Sequence, residues 1–458
     1  MFRASLAGVR LQRCNGRSMR SRYRGLSMPR LVFAGLVSAA LMLLATGTEA
    51  GAQGYDYPFI NAFEATVIGT PSIYAAELPD QVPKQEAGLT LFPERRTPEI
   101  FWYHDQLRYS VVRQRKKAPL IFNIAGTGAS HNARSMQVME KAFYQAGYHV
   151  ISLPSPTHPN FITTASQTQV PGLLADDARD LYRVMQAAYE EVAPSIEVSD
   201  FYVTGYSLGG AHAAFVAKLD EQIGAFGFKK ALMINPPVSL YNSVAILDDM
   251  INAIPGGPDN FHAFHDSLIE RFAAIYVEED FLDFTDDFLY LVYKKRPPTE
   301  EDLKAVVGLA FRLASANLLF TSDVLTRSGL VVRRNVSLSS TDSLTNYFKV
   351  SVRVGFVNYI DHLLYPFFKR QRPDVSLEQL IEESSLYAIE DYLRSSDKIG
   401  LMTNEDDIIL ASGEIDFLRS VFGDRAKIYI KGGHCGNLAY RDNIADMVAF
   451  FEDGWPDQ

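Results

Sequence analysis

Short apolar runs of strand length alternate with amphipathic helical stretches from about residue 119 onward, and this alternation leaves the chain few architectures. Pro119-Leu120-Ile121-Phe122-Asn123-Ile124 reads as a buried strand, and residues 132–146 as a helix with Met136, Met139 and Phe143 on one face. Val150-Ile151-Ser152-Leu153 is a second strand, and a helix over 173–192 would bury Leu174, Ala178, Leu181, Met185 and Val192. Phe201-Tyr202-Val203-Thr204 is a third strand, running into an Ala-rich helix that reaches Leu219. Three strand–helix units in succession imply a parallel sheet covered by helices.

Ala231-Leu232-Met233-Ile234 continues the pattern, and Asn235-Pro236-Pro237 stops it. Beyond this point helical periodicity dominates, at 264–276, 301–318 and 356–368. Strands return at Ile399-Gly400-Leu401-Met402 and Ala426-Lys427-Ile428-Tyr429-Ile430, and a last helix would bury Ile444, Met447, Val448 and Phe451. The expected fold class is α/β: a mostly parallel, doubly wound sheet formed by residues 53–235 and 397–458, with an all-helical cap inserted at 236–396. Residues 99–114, with Phe101-Trp102-Tyr103 and Tyr109-Ser110-Val111-Val112, are expected to form an antiparallel pair ahead of the parallel strands.

The chain has 458 residues and a formal charge of −10, unevenly distributed. The first 50 residues hold eight Arg and one acid, Glu49, which leaves 36 basic against 53 acidic residues in the remainder. Such a body repels a phosphate backbone, so nucleic acid is not an expected partner. Residues 31–45 form an uncharged apolar run of 15 residues, short for a membrane span of about 20 but suited to a signal peptide. Ala50-Gly51-Ala52 supplies a small-x-small cleavage pattern. Residues 1–52 are therefore expected to be a leader, with translation starting at Met28. The mature chain would begin near Gln53, without a stable span, and be exported to a bacterial periplasm or secreted. Removal of Cys14 with the leader would leave Cys435 as a lone thiol, without a disulfide.

Gly205-Tyr206-Ser207-Leu208-Gly209 matches G-x-S-x-G and sits where that pattern carries weight, between a strand and a helix. A nucleophile on so sharp a turn leaves no room for Cβ atoms at Gly205 and Gly209. The plainer alternative is that Ser207 only caps the helix, as Ser often does. A serine nucleophile also needs a base, an orienting acid and an oxyanion hole. His434 follows the final strand, and Asp406 and Asp407 follow the strand at 399–402, so all lie at the carboxyl edge of the sheet with Ser207. Gly126-Thr127-Gly128 follows the first parallel strand at that edge, where its backbone N–H groups and that of Leu208 can face a developing oxyanion.

In the elbow GYSLGG, the order Ser…Asp…His, the glycine loop AGTG after an early strand and a helical insertion before the acid-bearing strand, the chain resembles the alpha/beta-hydrolase superfamily. The resemblance covers roughly residues 53–235 and 397–458; Ala125 departs from it, standing where many members have a His before the glycines. It implies Ser207 as nucleophile, His434 as general base, Asp406 or Asp407 as orienting acid, and backbone donors at Leu208 and about Thr127. Asp406 is preferred because it lies nearer the strand end.

His131 and His158 lie on loops at the same edge, where a solvated or capping role competes with pocket contact; His212 suits a packed core position. Asp280, Asp283, Asp286 and Asp287 lack the spacing of a calcium loop and are expected on a solvated helical face. Neither a catalytic metal nor a cofactor is expected. Phe261, Phe264, Phe356, Tyr359, Phe367 and Phe368 are expected either to roof an apolar acyl pocket or to form the core of the cap. The expected activity is that of an exported serine hydrolase acting on a small-molecule or lipid-like carboxylic ester or thioester. An acyltransferase on the same site and a non-catalytic binding or scaffold protein are the alternatives.

Overall fold

The computed structural model describes residues 55–279 and 286–455; the expected leader lies outside the described residues, as do Asp280 and Asp283. The described chain opens with a short helix, α1 (Ala62–Ile68), whose first N–H groups are capped by the Asn61 side chain. β1 (Lys84–Leu89) and β2 (Leu107–Val112) then form an antiparallel edge to the sheet. The antiparallel pair therefore exists, but not with the strand expected at 101–103. Residues Glu99–Phe101 make a single 3₁₀ turn that buries Ile100 and Phe101 in a satellite cluster. β1 showed no apolar alternation because it is an outermost strand, and Lys84, Gln85 and Glu86 carry the polar character that keeps such an edge from pairing further.

β3 (Ala118–Ile124), α2 (Arg134–Gln145), β4 (His149–Leu153), α3 (Pro159–Thr164), α4 (Leu174–Val192), β5 (Val198–Tyr206), α5 (Leu208–Ile223) and β6 (Lys230–Ile234) follow. β7 (Ile399–Asn404) and β8 (Ala426–Tyr429) complete an eight-stranded sheet of order β1-β2-β4-β3-β5-β6-β7-β8. From β4 to β8 every pairing is parallel. The side-chain alternation of β3 divides the core between the two faces. Leu120, Phe122 and Ile124 pack with Leu181 and Met185 of α4 and Ala214 of α5. Ile121 instead meets Met139 and Phe143 of α2 and Met447 and Phe451 of the final helix, Arg441–Glu452. Truncating fully buried Phe122 to Ala would cost about 3–5 kcal/mol.

Between β6 and β7 the long elements are helical: α6 (Leu240–Asp249), α7 (Phe261–Glu279), α8 (Asp286–Lys295), α9 (Glu300–Thr326) and shorter helices ending at Ser395. α9 is closed at its start by a Thr299–Asp302 capping box. Among the described residues it is the one helix long and apolar enough to cross a bilayer, and 61% of its most apolar window is buried inside the fold. The helix expected at 356–368 is interrupted. A π-turn at Ile360–Leu364 separates Phe356–Tyr359 from Tyr365–Gln371, where Pro366 removes one backbone donor.

Candidate active site

β4 and β5 lie on opposite sides of β3, so the chain reverses its winding there and leaves a crevice at the carboxyl ends of the strands. Ser207 follows β5 at that edge with φ 55° and ψ −130°, a region that few non-glycine residues enter. A Cβ on Gly209 would lie 2.2 Å from the Ile124 carbonyl oxygen, and one on Gly205 would lie 2.3 Å from that of Gly209, so both positions demand glycine. Ser207 occupies the N-cap position of α5, yet its side chain makes no capping hydrogen bond. Its hydroxyl instead points to His434, with Oγ 2.9 Å from Nε2.

His434 Nδ1 lies 3.0 and 3.1 Å from the two carboxylate oxygens of Asp407. With the ring proton on Nδ1 facing Asp407, Nε2 is left as the acceptor for the Ser207 hydroxyl. Asp407 is buried, and its oxygens also accept from Asn235 Nδ2 at 2.8 Å and from the Ile409 N–H at 3.2 Å. Burial works against the charged imidazolium, but the Asp407 carboxylate more than offsets it. Cys435 acts in the same direction, and His434 is held well above the usual histidine range.

This arrangement corrects the preference for Asp406. The Asp407 N–H bonds back to the Asn404 carbonyl at 3.3 Å, and the turn it closes directs Asp407 to the histidine. Asp406 turns to the other side of the loop, where Oδ1 accepts the Gly433 N–H at 2.9 Å. Burial pushes the Asp406 pKa up against the hydrogen bonds from Gly433 and Gly432. Its place is thus under the backbone of the histidine loop, not beside the imidazole.

Two residues that sequence reasoning missed complete the support. Thr66 of α1 accepts the His434 backbone N–H on Oγ1 at 2.8 Å and donates to the Ala62 carbonyl at 2.7 Å. The histidine loop rides so close to α1 that a Cβ on Gly433 would sit 2.2 Å from the Ala62 oxygen. Asn235, which donates to Asp407, adopts φ 45°, a conformation Asn tolerates better than most residues. An Asn at the end of a strand and before Pro-Pro was a visible signal for Asn235; nothing in the sequence marked Thr66.

Thr127, Tyr206, Ser207, Phe311, His434 and Cys435 all line a cavity of about 500 Å³. The Leu208 and Thr127 N–H groups have no acceptor among the described residues, which leaves both free for an oxyanion. Beside them, Gly128 donates its N–H to Thr157 Oγ1 at 2.7 Å and Ser155 donates its N–H to the Ala129 carbonyl at 3.0 Å, fixing the glycine loop. Cys435 Sγ lies 3.9 Å from His434 Nε2.

The remaining candidates lie elsewhere. His158 caps α3, accepting the Asn160 N–H at 3.2 Å; burial, aided by His104 and His131, pushes it down to about 3 and keeps it neutral. His131 pairs with Glu86, and His212 is fully buried with Nε2 3.4 Å from Asp177. Asp286 is not on a solvated face: it lines the cavity that holds Ser207 and pairs with Arg134 at 3.0 Å, while Asp287 accepts the Ser72 N–H at 2.8 Å. Among the described residues no cluster of His, Cys, Asp and Glu is arranged to hold a metal ion. Phe261, Phe356, Tyr359 and Phe368 are buried in core clusters.

The strand order, the strained serine between β5 and α5, and the helical segment between β6 and β7 decide the fold. It is that of the alpha/beta-hydrolases. No protein-family model matches the chain, and no curated protein matches it in sequence. Among solved structures it is similar to a thioesterase domain from the curacin biosynthetic pathway, at 12% identity and TM-score 0.37, over 80% of this chain and 98% of that one. It is similar to a hyperthermophilic esterase from the archaeon Pyrobaculum calidifontis, at 15% identity and TM-score 0.38, over 85% and 88%. A bacterial membrane phospholipase A is similar at 15% identity and TM-score 0.39, over 81% and 86%.

Proposed function

We propose that the protein is an exported serine hydrolase that cleaves carboxylic esters or thioesters through an acyl-enzyme on Ser207. One observation carries this reading. Ser207, at the N-cap position of a helix, leaves the helix uncapped and offers its hydroxyl to His434 Nε2 at 2.9 Å, while Asp407 holds Nδ1.

Ser207 Oγ attacks the substrate carbonyl carbon as its proton passes to His434 Nε2, and the carbonyl oxygen becomes an oxyanion facing the Leu208 and Thr127 N–H groups. Collapse breaks the bond to the leaving alcohol or thiol, which takes the proton from the imidazolium. Water then gives a proton to Nε2 and attacks the acyl carbon. The second collapse releases the acid and returns the proton to Ser207. Asp407 stays ionised throughout and stabilises the imidazolium. Export is supported by the apolar run at 31–45 and the Ala50-Gly51-Ala52 pattern.

A fluorophosphonate probe, which reports an activated serine without knowledge of the substrate, tests the reading. The protein should be labelled and should hydrolyse p-nitrophenyl butyrate, and Ser207→Ala should lose both while remaining folded. Undiminished labelling of that variant would place the reactive group elsewhere.

A further inference from the structure

Next to the catalytic cavity lies a second one of about 370 Å³, within the range of ligand pockets. Its wall includes Val67 and Ile68 of α1, Phe264 and Leu268 of α7, Val292 of α8 and Val306 of α9. Val67, Ile68 and Val306 also line the cavity that holds Ser207, so the two cavities adjoin across the same side chains of α1 and α9. The rest of its lining is mostly apolar, with Tyr293, Arg296 and Asp302 as the polar side chains on it. Arg296 is exposed, and Asp302 is engaged in the Thr299 capping box at the start of α9. In the catalytic cavity Arg134 and Asp286 neutralise each other, which leaves neither charge uncompensated for an ionic substrate. The recognition on offer beyond the reacting carbonyl is therefore burial of hydrocarbon, which grows with each methylene removed from water.

We propose that this chamber is the acyl-chain site, receiving a long unbranched chain of the dodecanoyl class that passes between α1 and α9 while its carbonyl sits at Ser207. This rests on the hydrolase reading for its chemistry, though not for its binding. An unbranched chain fits because it has to pass between side chains of two helices, and because apart from Tyr293, the exposed Arg296 and the capping Asp302 the far chamber is walled by apolar side chains.

The test compares p-nitrophenyl butyrate with p-nitrophenyl dodecanoate. The wild-type protein should favour dodecanoate by tenfold or more in kcat/KM. Leu268→Trp and Val292→Trp place bulk in the chamber at positions that do not line the catalytic cavity. Each should lower the dodecanoate-to-butyrate ratio at least tenfold, mainly through KM. Calorimetric titration of free dodecanoate into the Ser207→Ala protein reads the chamber without turnover, and Leu268→Trp in that background should weaken binding tenfold or more. Equal use of the two esters, an unchanged ratio in folded variants or no dodecanoate binding overturns the chamber. Loss of probe labelling and of all ester hydrolysis would overturn the hydrolase reading instead, and the titration would still decide whether the chamber takes the chain.

Discussion

Thr66 Oγ1 accepts the backbone N–H of His434 at 2.8 Å, joining residues 368 positions apart, so the first described helix anchors the loop that presents the imidazole. The hydroxyl touches neither Ser207 nor Asp407, and its influence on the reaction is one of position. Thr66→Val leaves the His434 N–H unsatisfied, a loss of about 1–3 kcal/mol divided between stability and alignment. We expect kcat to fall about tenfold, on that scale, with KM and the pH midpoint nearly unchanged, and Thr66→Ser to restore the rate. A Ser variant as slow as the Val variant would show that shape, not the hydrogen bond, matters.

The two neighbouring aspartates should separate cleanly. Asp407→Asn removes the charge facing Nδ1 and should lower kcat about 10⁴-fold, the scale known for a triad aspartate elsewhere. Asp406→Asn keeps an oxygen able to accept the Gly433 N–H, and its kcat should stay within about tenfold of wild type, as loss of part of one hydrogen bond implies. Steady-state kinetics on folded variants at neutral pH decides the order; the reverse ranking would move the orienting role to Asp406.

The pH profile has a defined sign. Only neutral imidazole accepts the Ser207 proton, so kcat/KM declines as pH falls through the His434 pKa. Because Asp407 holds that pKa above the ordinary value of 6.5, the midpoint of the acid limb should lie above pH 6.5. In the residual activity of Asp407→Asn it should move down by about one unit or more. A wild-type midpoint near 4 would assign the limb to a carboxylate.

Export has its own readout. Fractionation of the native cells followed by N-terminal sequencing should find a chain beginning near Gln53 outside the cytoplasm. A cytosolic protein that retains residues 28–52 would refute it.

What could be read in advance, and what could not, follows from the range of the forces involved. β3, β4, β5 and β6 were visible because strands covered on both faces are apolar throughout, and Ser207 was visible because an elbow writes its steric demands as neighbouring glycines. β1 was hidden because an edge strand is selected for polarity as much as for pairing. Asp406 was preferred over Asp407 on nearness to the strand end. The hydrogen bond between Asp407 and Asn404 reverses that preference by turning the chain within three residues, and adjacent side chains then point opposite ways. Thr66 was out of reach for another reason. Its partner is distant in sequence and is a backbone amide, and a backbone amide is the same at every residue.

The helical segment leaves the sheet at the end of β6 and re-enters at β7, and these two strands are hydrogen-bonded neighbours, with Ala231 opposite Ile399 and Ile234 opposite Met402. The sheet therefore closes across the excursion regardless of its length, and the entropy of holding the two ends together rises by only about 0.6 kcal/mol for each doubling. Helices can be lengthened, lost or exchanged within such a detour while the strands that carry Ser207, Asp407 and His434 keep their register. The roof of the site is thus free to diversify at little thermodynamic penalty, and the cavity it covers can change shape while Ser207, Asp407 and His434 stay in place.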